Sequence, residues 1–283
     1  MPGIIWLASY PKSGNTWLRA FLANYITNAA TPVAINDLPK HVLGDNLILH
    51  YEQFTGKSAR DLADEDFKWL RPRVHEWLAR SRPQEVFVKT HSVVSKVDDM
   101  PLITPSATAG AVYVVRNPLD VAVSFAHHYQ VTYARAVDSL CSDDYVLPSS
   151  SGLHRQYLSS WSHHVRSWTE APGLTPHLLR YEDMLGAPHK AFGRLIGFLG
   201  LPKDPARLRR AIGFSSFREL SGQERTTRFV ESRPDGESSF FRAGRTGAWR
   251  NVLTEAQAEI LIAKHREVMV EMGYLTPSGR PTR

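Results

Sequence analysis

The chain has a single cysteine, Cys141, among its 283 residues, so no disulfide can form within it. A disulfide-stabilised secreted scaffold is therefore excluded, and a reducing cytoplasm is the expected compartment. No segment approaches the run of about 18 apolar residues that a membrane-spanning helix requires. The first residues lead straight into an apolar strand pattern, so we expect neither a signal peptide nor a membrane anchor.

Strong charge patterning is also missing. The formal net charge is +6 at pH 7 and the sequence pI is about 9.5, but like charges never occur in long runs. A modest basic excess suits an anionic ligand or a nucleic acid. Because no basic stripe carries interleaved stacking aromatics, a nucleic-acid-binding module is the weaker interpretation. No cluster of His, Cys and Asp has ligand spacing, so we expect no metal.

Short apolar segments alternate with helical patterns along the chain. Strands are predicted at 4–8, 86–88, 111–115 and 177–179, and helices at 118–129, 153–168, 188–199 and 254–272. This alternation predicts an α/β fold, a single domain over residues 1–283 with a central mostly parallel sheet flanked by helices. Ligands then bind at the carboxyl ends of the strands. Residues 31–60 and 131–152 lack periodicity and are either lids over a pocket or surface loops.

Residues 9–17, Ser-Tyr-Pro-Lys-Ser-Gly-Asn-Thr-Trp, form a predicted strand-to-helix turn. A helix N-terminus offers unpaired N–H groups and the positive pole of the helix dipole, and Lys12 adds a full charge, so the turn suits an anion. An ordinary turn capped by Ser13 or Asn15 is the alternative, although it leaves Lys12 unexplained. The nucleotide-kinase P-loop has a different order, because Lys12 here precedes Gly14.

Two more strand ends carry polar side chains suited to catalysis or anion binding. Lys89 and His91 alternate at the end of the second strand and therefore point to the same side of the sheet. An imidazole there can remove a proton from an acceptor hydroxyl at neutral pH. Arg116 ends the third strand and Ser124 follows two helical turns later, a pair that suits a phosphate. An ion pair between Arg116 and Asp120 is the structural alternative.

Together these segments resemble the sulfotransferases that use 3′-phosphoadenosine 5′-phosphosulfate (PAPS). The resemblance rests on Tyr-Pro-Lys-Ser-Gly-Asn-Thr-Trp at 10–17, Lys-Thr-His at 89–91, Arg-Asn-Pro and Asp-Val-Ala-Val-Ser at 116–124, Arg-Tyr-Glu-Asp at 180–183, Ser-Ser-Phe-x-x-Leu at 215–220 and Phe-Arg-Ala-Gly-Arg-Thr-Gly-Ala-Trp-Arg-Asn at 241–251. These matches follow the family's order and span residues 4–255. The chain resembles the soluble members that act on small molecules, with a P-loop-like phosphosulfate-binding loop.

The resemblance implies transfer of a sulfuryl group from PAPS to a hydroxyl or amine of a small-molecule or natural-product acceptor, leaving the desulfated product PAP. It implies that His91 is the catalytic base, that Lys12 stabilises the leaving phosphate and that Lys89 holds a reacting oxygen. The implied donor-binding residues are Lys12, Ser13, Gly14, Asn15, Thr16, Trp17, Arg116, Ser124, Tyr181, Ser216, Phe217, Leu220, Phe241, Arg242, Ala243 and Gly244. Candidate acceptor-binding residues are Phe125, Tyr129 and Tyr133.

The chain departs from the family pattern at two positions of the last motif. Ala243 stands where a Lys is usual and Ala248 where an Asp is usual; loss of the cation weakens donor binding unless Arg245 compensates. A dimer segment near Glu255 matches only in part, so a homodimer is an open expectation. A nucleotide-binding protein of the same fold without catalysis and an ATP-dependent P-loop kinase are the rival functions. We expect neither a nucleic-acid nor a membrane partner.

Overall fold

A computed structural model describes residues 3–150, 152–232 and 239–282. The chain divides into two compact units. Unit 1 comprises Met1–Tyr10, Val42–Tyr113 and Leu140–Leu178, and unit 2 comprises Pro11–His41, Val114–Ser139 and Leu179–Arg283. The single domain over residues 1–283 stays a prediction.

The described residues form short strands and helices of very different lengths. The strands are β1 (Ile4–Ser9), β2 (Leu43–Gly44), β3 (Val86–Thr90), β4 (Lys96–Val97), β5 (Met100–Pro101), β6 (Thr108–Val115), β7 (Val146–Leu147), β8 (Gln156–Tyr157) and β9 (His177–Arg180). The helices are α1 (Asn15–Thr27), α2 (Leu38–His41), α3 (Ile48–Thr55), α4 (Asp64–Ala79), α5 (Pro118–Tyr129), α6 (Tyr133–Cys141), α7 (Trp161–Thr169), α8 (Tyr181–Gly186), α9 (Pro188–Phe198), α10 (Pro205–Phe214), α11 (Phe217–Thr227) and α12 (Glu255–Glu271).

The central sheet has five strands in the order β2-β3-β1-β6-β9. β3 pairs in parallel with both β1 and β2, and the β1 register sets Ile4 opposite Val86 and Ala8 opposite Thr90. Five of the six residues of β1 and residues 111–115 of β6 are buried, as in a sheet covered on both faces. The predicted α/β fold with a central sheet flanked by helices is confirmed. Parallel pairing brings the carboxyl ends of β1 and β3 to one edge.

The predicted helix at 118–129 matches α5, whose N-cap Asn117 accepts a hydrogen bond from the Leu119 N–H at 3.0 Å. The predicted helix at 153–168 was wrong in its first half, because α7 begins only at Trp161. Ser159 has φ of 60°, a left-handed conformation that a continuous helix does not tolerate, and Ser160 then caps α7. Residues 31–60 and 131–152 were predicted irregular but include α2, α3 and α6; Ser151 lies outside the described residues.

Candidate functional site

The start of α1 in unit 2 has the features of an anion-binding turn. Helix α1 follows Gly14, which has φ of 109°, and no side chain caps its first N–H groups. A Cβ at position 14 would lie 2.8 Å from Cδ2 of Tyr181, so only glycine fits there. The buried Ser13 hydroxyl has no hydrogen-bond partner among the described residues. Uncapped N–H groups beside an unpartnered hydroxyl suit a bound anion.

Arg116 ties this turn to a second loop of unit 2. Its guanidinium donates hydrogen bonds to the carbonyl of Lys12 at 3.1 Å and to the carbonyl of Arg245 at 3.2 Å. The same group lies 4.2 Å from the ring centroid of Tyr181, a cation–π distance. Arg116 therefore holds the two loops in fixed relation, and its buried Nε has no partner among the described residues.

Asp120, the alternative partner of Arg116, has other hydrogen bonds. Its carboxylate accepts from the N–H of Gly247 at 2.7 Å and from the N–H of Trp249 at 3.2 Å, and the residue is only 2% exposed. The loop that contains Gly244 is thus fixed by Asp120 as well as by Arg116. A Cβ on Gly244 would lie 2.4 Å from the Phe217 ring, so this loop packs tightly against α11.

A cavity of about 440 Å³ lies within unit 2. It is lined by Lys12, Ser124, His127, His128, Phe217, Ser221, Glu224, Arg225, Ser232, Ser239, Phe240, Phe241 and Arg242. The structure therefore brings together five predicted donor-binding residues, namely Lys12, Ser124, Phe217, Phe241 and Arg242. The lining contains three cationic side chains, Lys12, Arg225 and Arg242, and a single carboxylate, Glu224, so it suits a multiply charged anion.

Sequence reasoning missed one wall of this cavity. The Glu224 carboxylate accepts hydrogen bonds from the Phe241 N–H at 3.0 Å and from the Ser232 hydroxyl at 3.1 Å. Phe240 places its ring centroid 3.9 Å from Nζ of Lys12. Phe217, Ser221 and Arg225 are four residues apart, so the sequence could have shown that Ser221 and Arg225 share one face of α11 with Phe217, a predicted donor-binding residue. No sequence pattern indicated the contacts made by Phe240 and Glu224.

Three predicted donor-binding residues that do not line the cavity, Trp17, Ser216 and Thr16, make packing or capping contacts. Trp17, like the cavity-lining Phe241, packs against a buried cluster that includes Leu220 and Phe229. Ser216 is the N-cap of α11 and accepts from the Glu219 N–H at 3.3 Å. The Thr16 hydroxyl accepts from Arg19 at 3.2 Å. These residues lie close to the predicted site, but the structure gives them packing or capping contacts.

The three predicted acceptor-binding residues lie outside the lining of this donor cavity. Phe125 is 1% exposed and packs 4.3 Å from the Tyr129 ring, so it belongs to the core. The Tyr133 hydroxyl lies 3.2 Å from Nε2 of His127. Burial, and then the charge of Arg242, lower the pKa of His127. Contact of these aromatics with an acceptor stays a prediction.

His91 and Lys89 lie in unit 1. Lys89 occupies a half-buried position between buried neighbours on β3, and His91 follows the strand. Nδ1 of His91 lies 2.7 Å from the Ser9 carbonyl and 3.2 Å from the Ser9 hydroxyl. A carbonyl can only accept, so Nδ1 carries the proton and the neutral ring has its lone pair on Nε2. This is the tautomer that a base acting through Nε2 needs.

A buried carboxylate supports the strand end that carries Lys89. Asp45 is 0% exposed; it accepts from the Thr90 hydroxyl at 2.8 Å, and its N–H donates to the Lys89 carbonyl at 3.1 Å. A guanidinium nitrogen of Arg71 lies 3.7 Å from the same carboxylate. Burial raises the pKa of Asp45, and the Arg71 charge acts in the opposite direction. Asp45 therefore fixes the backbone of β3 beside the predicted catalytic residues.

Two features are absent from the described residues. They contain no group of three or more His, Cys, Asp or Glu side chains able to hold a metal ion. The absence of a metal from the reaction stays a prediction. Within the same residues, helices long and apolar enough to cross a bilayer do not occur.

Comparison with protein families decides the identity of this fold. The sulfotransferase domain model matches residues 2–273. The chain belongs to the sulfotransferase domain family. The predicted enzyme class and its donor, PAPS, are thereby confirmed. Oligomeric state and cytoplasmic location stay predictions.

The sulfotransferase relatives are distant. The chain is 27% identical over 265 residues to cytosolic sulfotransferase 1 of Arabidopsis thaliana, covering 88% of this chain and 73% of that protein. It is 26% identical over 272 residues to sulfotransferase 1B1 of Mus musculus, covering 95% and 83%. Retinol dehydratase, solved with androsterone and the inactive cofactor PAP, matches with a TM-score of 0.63 at 20% identity over 97% of this chain and 82% of that one. Mouse sulfotransferase SULT7A1 complexed with PAP matches with a TM-score of 0.58 at 22% identity over 98% and 86%.

Proposed function

We propose that this sulfotransferase transfers the sulfuryl group of PAPS to a hydroxyl or amine of a small-molecule acceptor, with His91 as base and Lys12 at the leaving phosphate. The observation that carries the proposal is the uncapped start of α1, where Lys12 lines a cation-rich cavity. Bound donor supplies the reactive sulfuryl group. The chain's residues bind, orient and neutralise charge, as in phosphoryl transfer.

The donor would be held at its two phosphate ends by different groups. The N–H groups that open α1, with the Ser13 hydroxyl and Lys12, would hold the 5′ end. Ser124 and Arg242 would hold the 3′-phosphate, because both line the same cavity. Arg116 would add its charge while fastening both loops. Glycine at 14 and 244 lets the rings of Tyr181 and Phe217 pack directly against the backbone of the two loops that would hold the donor.

The base function rests on the tautomer of His91. With Nδ1–H donating to Ser9, Nε2 would accept the proton of the acceptor hydroxyl, and the Ser9 carbonyl would stabilise the resulting imidazolium. Lys89 would hold a reacting oxygen, since it alternates with His91 on the same side of the strand end. These roles need no metal ion, because lysine and arginine supply the positive charge.

The direct test combines His91→Ala with a matched control, His189→Ala, an exposed histidine. Transfer from sulfur-labelled PAPS is measured over a panel of phenols, aliphatic alcohols and amines, and binding of PAP is measured by calorimetry. His91→Ala should lower turnover about 100- to 10,000-fold while PAP binds as in the wild type. His189→Ala should be neutral. Turnover near wild type in His91→Ala would remove His91 from the base role.

The rival functions predict other ligand preferences. An ATP-dependent kinase would bind ATP with magnesium more tightly than PAP, and a non-catalytic nucleotide binder would bind PAP without transferring sulfur to any member of the panel. We expect PAP to bind at least about tenfold more tightly than ATP, because two separate phosphate sites are satisfied only by PAP. Equal affinities would contradict the two-site assignment.

A further inference from the structure

The residues around His91 form a closed ring of hydrogen bonds in unit 1. The His91 ring is held from one side by the Ser9 carbonyl. On the other side, Nε2 of His164 lies 2.9 Å from the His91 carbonyl, and Nδ1 of His164 lies 2.7 Å from the Tyr113 hydroxyl. The Tyr113 hydroxyl in turn has a hydrogen bond with the backbone of Tyr10, the residue after Ser9.

The partners fix the direction of every bond in this ring. The His91 carbonyl can only accept, so Nε2 of His164 donates, and Nδ1 accepts the Tyr113 proton. The Tyr113 oxygen then accepts from the Tyr10 N–H. Burial lowers the pKa of His164 to about 4, so the imidazole is neutral at pH 7, as this arrangement requires.

Helix α7 holds the segment after His91 at two more points. The Trp168 indole N–H donates to the Ser92 carbonyl at 3.1 Å, and the Val94 N–H donates to the Ser167 hydroxyl at 3.1 Å. His164 and Trp168 are four residues apart and therefore lie on one face of the helix. Both are 0% exposed. Helix α7 therefore holds the backbone at positions 91, 92 and 94 through three hydrogen bonds.

We propose that His164 is a positioning residue for sulfuryl transfer, which acts by fixing the backbone carbonyl of His91 and, through Tyr113, the end of β1 that orients the His91 ring. This inference rests on the proposed role of His91 as base. His164 does not contact donor or acceptor; both of its nitrogens are engaged inside unit 1. Its effect is to keep His91 Nδ1 on the Ser9 carbonyl and thus to keep the lone pair on Nε2.

The experiment compares His164→Leu with His164→Gln, whose amide nitrogen reproduces the donor of Nε2. His163→Leu is the control, because His163 is the exposed neighbour on the same helix. Turnover is measured with the best acceptor of the panel, PAP binding by calorimetry, and the His91 tautomer in the PAP complex by ring-nitrogen NMR. We expect His164→Leu to lose about 10- to 100-fold in turnover with PAP affinity unchanged and with His91 divided between two tautomers. His164→Gln should recover most of the turnover, and His163→Leu should be neutral.

A second variant keeps the proposal testable if His164→Leu does not fold. Tyr113→Phe retains the buried ring and removes only the hydroxyl, so we expect a loss of about 3- to 10-fold in turnover with the same tautomer mixing. Wild-type turnover with a single His91 tautomer in these variants would overturn the inference. If His91→Ala also retained turnover, the proposed function would fail as well; if His91→Ala were inactive, only the role of His164 would fall.

Discussion

His91 in unit 1 is predicted to be the base of sulfuryl transfer and Lys12 in unit 2 to stabilise the leaving phosphate, and their surroundings are built differently. Around His91, polar groups are buried and joined in hydrogen-bonded networks through Ser9, His164 and Tyr113. Around Lys12, cationic side chains line a cavity and N–H groups at the start of α1 remain uncapped. A base needs one fixed tautomer, whereas an anion site needs donors kept available for a ligand. The difference therefore reflects the two tasks.

The largest effect is expected at the buried ion pair of unit 1. Asp45→Asn keeps the shape of the side chain but leaves the charge of Arg71, which is 2% exposed, without its counter-ion. We expect a loss of about 3–5 kcal/mol in the free energy of unfolding, measured with urea. Lys40→Ala, which removes an exposed ion pair with Asp37, is the control and should cost at most about 1 kcal/mol. Equal losses would show that burial of the pair does not matter.

The pH dependence of stability should be strongest in unit 1. Burial lowers the pKa of both His154 and His164 from 6.5 to about 4, so the unfolded chain binds more protons between these values. The free energy of unfolding should therefore fall as pH drops from 6.5 toward 4, by up to about 1.4 kcal/mol per pH unit for each histidine. Urea unfolding of His154→Gln should show a shallower slope. An unchanged slope would mean that His154 is protonated in the folded protein.

The anion site of unit 2 should respond to a single methyl group. Gly244→Ala places a Cβ 2.4 Å from the Phe217 ring, whereas Gly247→Ala, with nothing within 4 Å, suffers only the cost of its positive φ. Both should lose about 1 kcal/mol or more in stability. Only Gly244→Ala should weaken PAP binding further, by about tenfold, because Phe217 must shift in the cavity wall. Calorimetry of the two variants checks this, and equal PAP affinities would contradict it.

The smallest effect is expected at the ring over Lys12. Phe240→Leu removes the cation–π contact between the Phe240 ring and Nζ of Lys12, 3.9 Å apart. In the variant, Lys12 therefore has no such contact to lose when it turns to a bound anion. We expect PAP to bind about two- to fivefold more tightly, corresponding to about 0.5–1 kcal/mol. Phe198→Leu, at a phenylalanine that is 45% exposed, is the control. Weaker PAP binding in Phe240→Leu would show that the ring supports the site.

Local sequence was sufficient for features that depend on neighbouring residues. The turn at 9–17, the capped helix α5 and the alternation of Lys89 and His91 follow from spacing alone, and the structure has each of these elements. The start of α7 was mispredicted because a left-handed Ser159 interrupts a pattern that looks helical throughout. A single residue's backbone conformation leaves no trace in hydrophobic periodicity.

The amino-acid order by itself determined the alternating α/β framework, the glycine that the first turn requires and the family to which the chain belongs. Only the tertiary structure decided which distant groups meet, such as His164 with the His91 carbonyl, 73 positions apart, or Glu224 with the Phe241 N–H. Secondary-structure propensity and residue spacing determine structure over only a few residues. The long-range contacts form because helices pack against the sheet and bring together residues far apart in the sequence. For that reason the sequence indicated the chemistry, whereas the groups that hold the reacting side chains in place could be identified only from the structure.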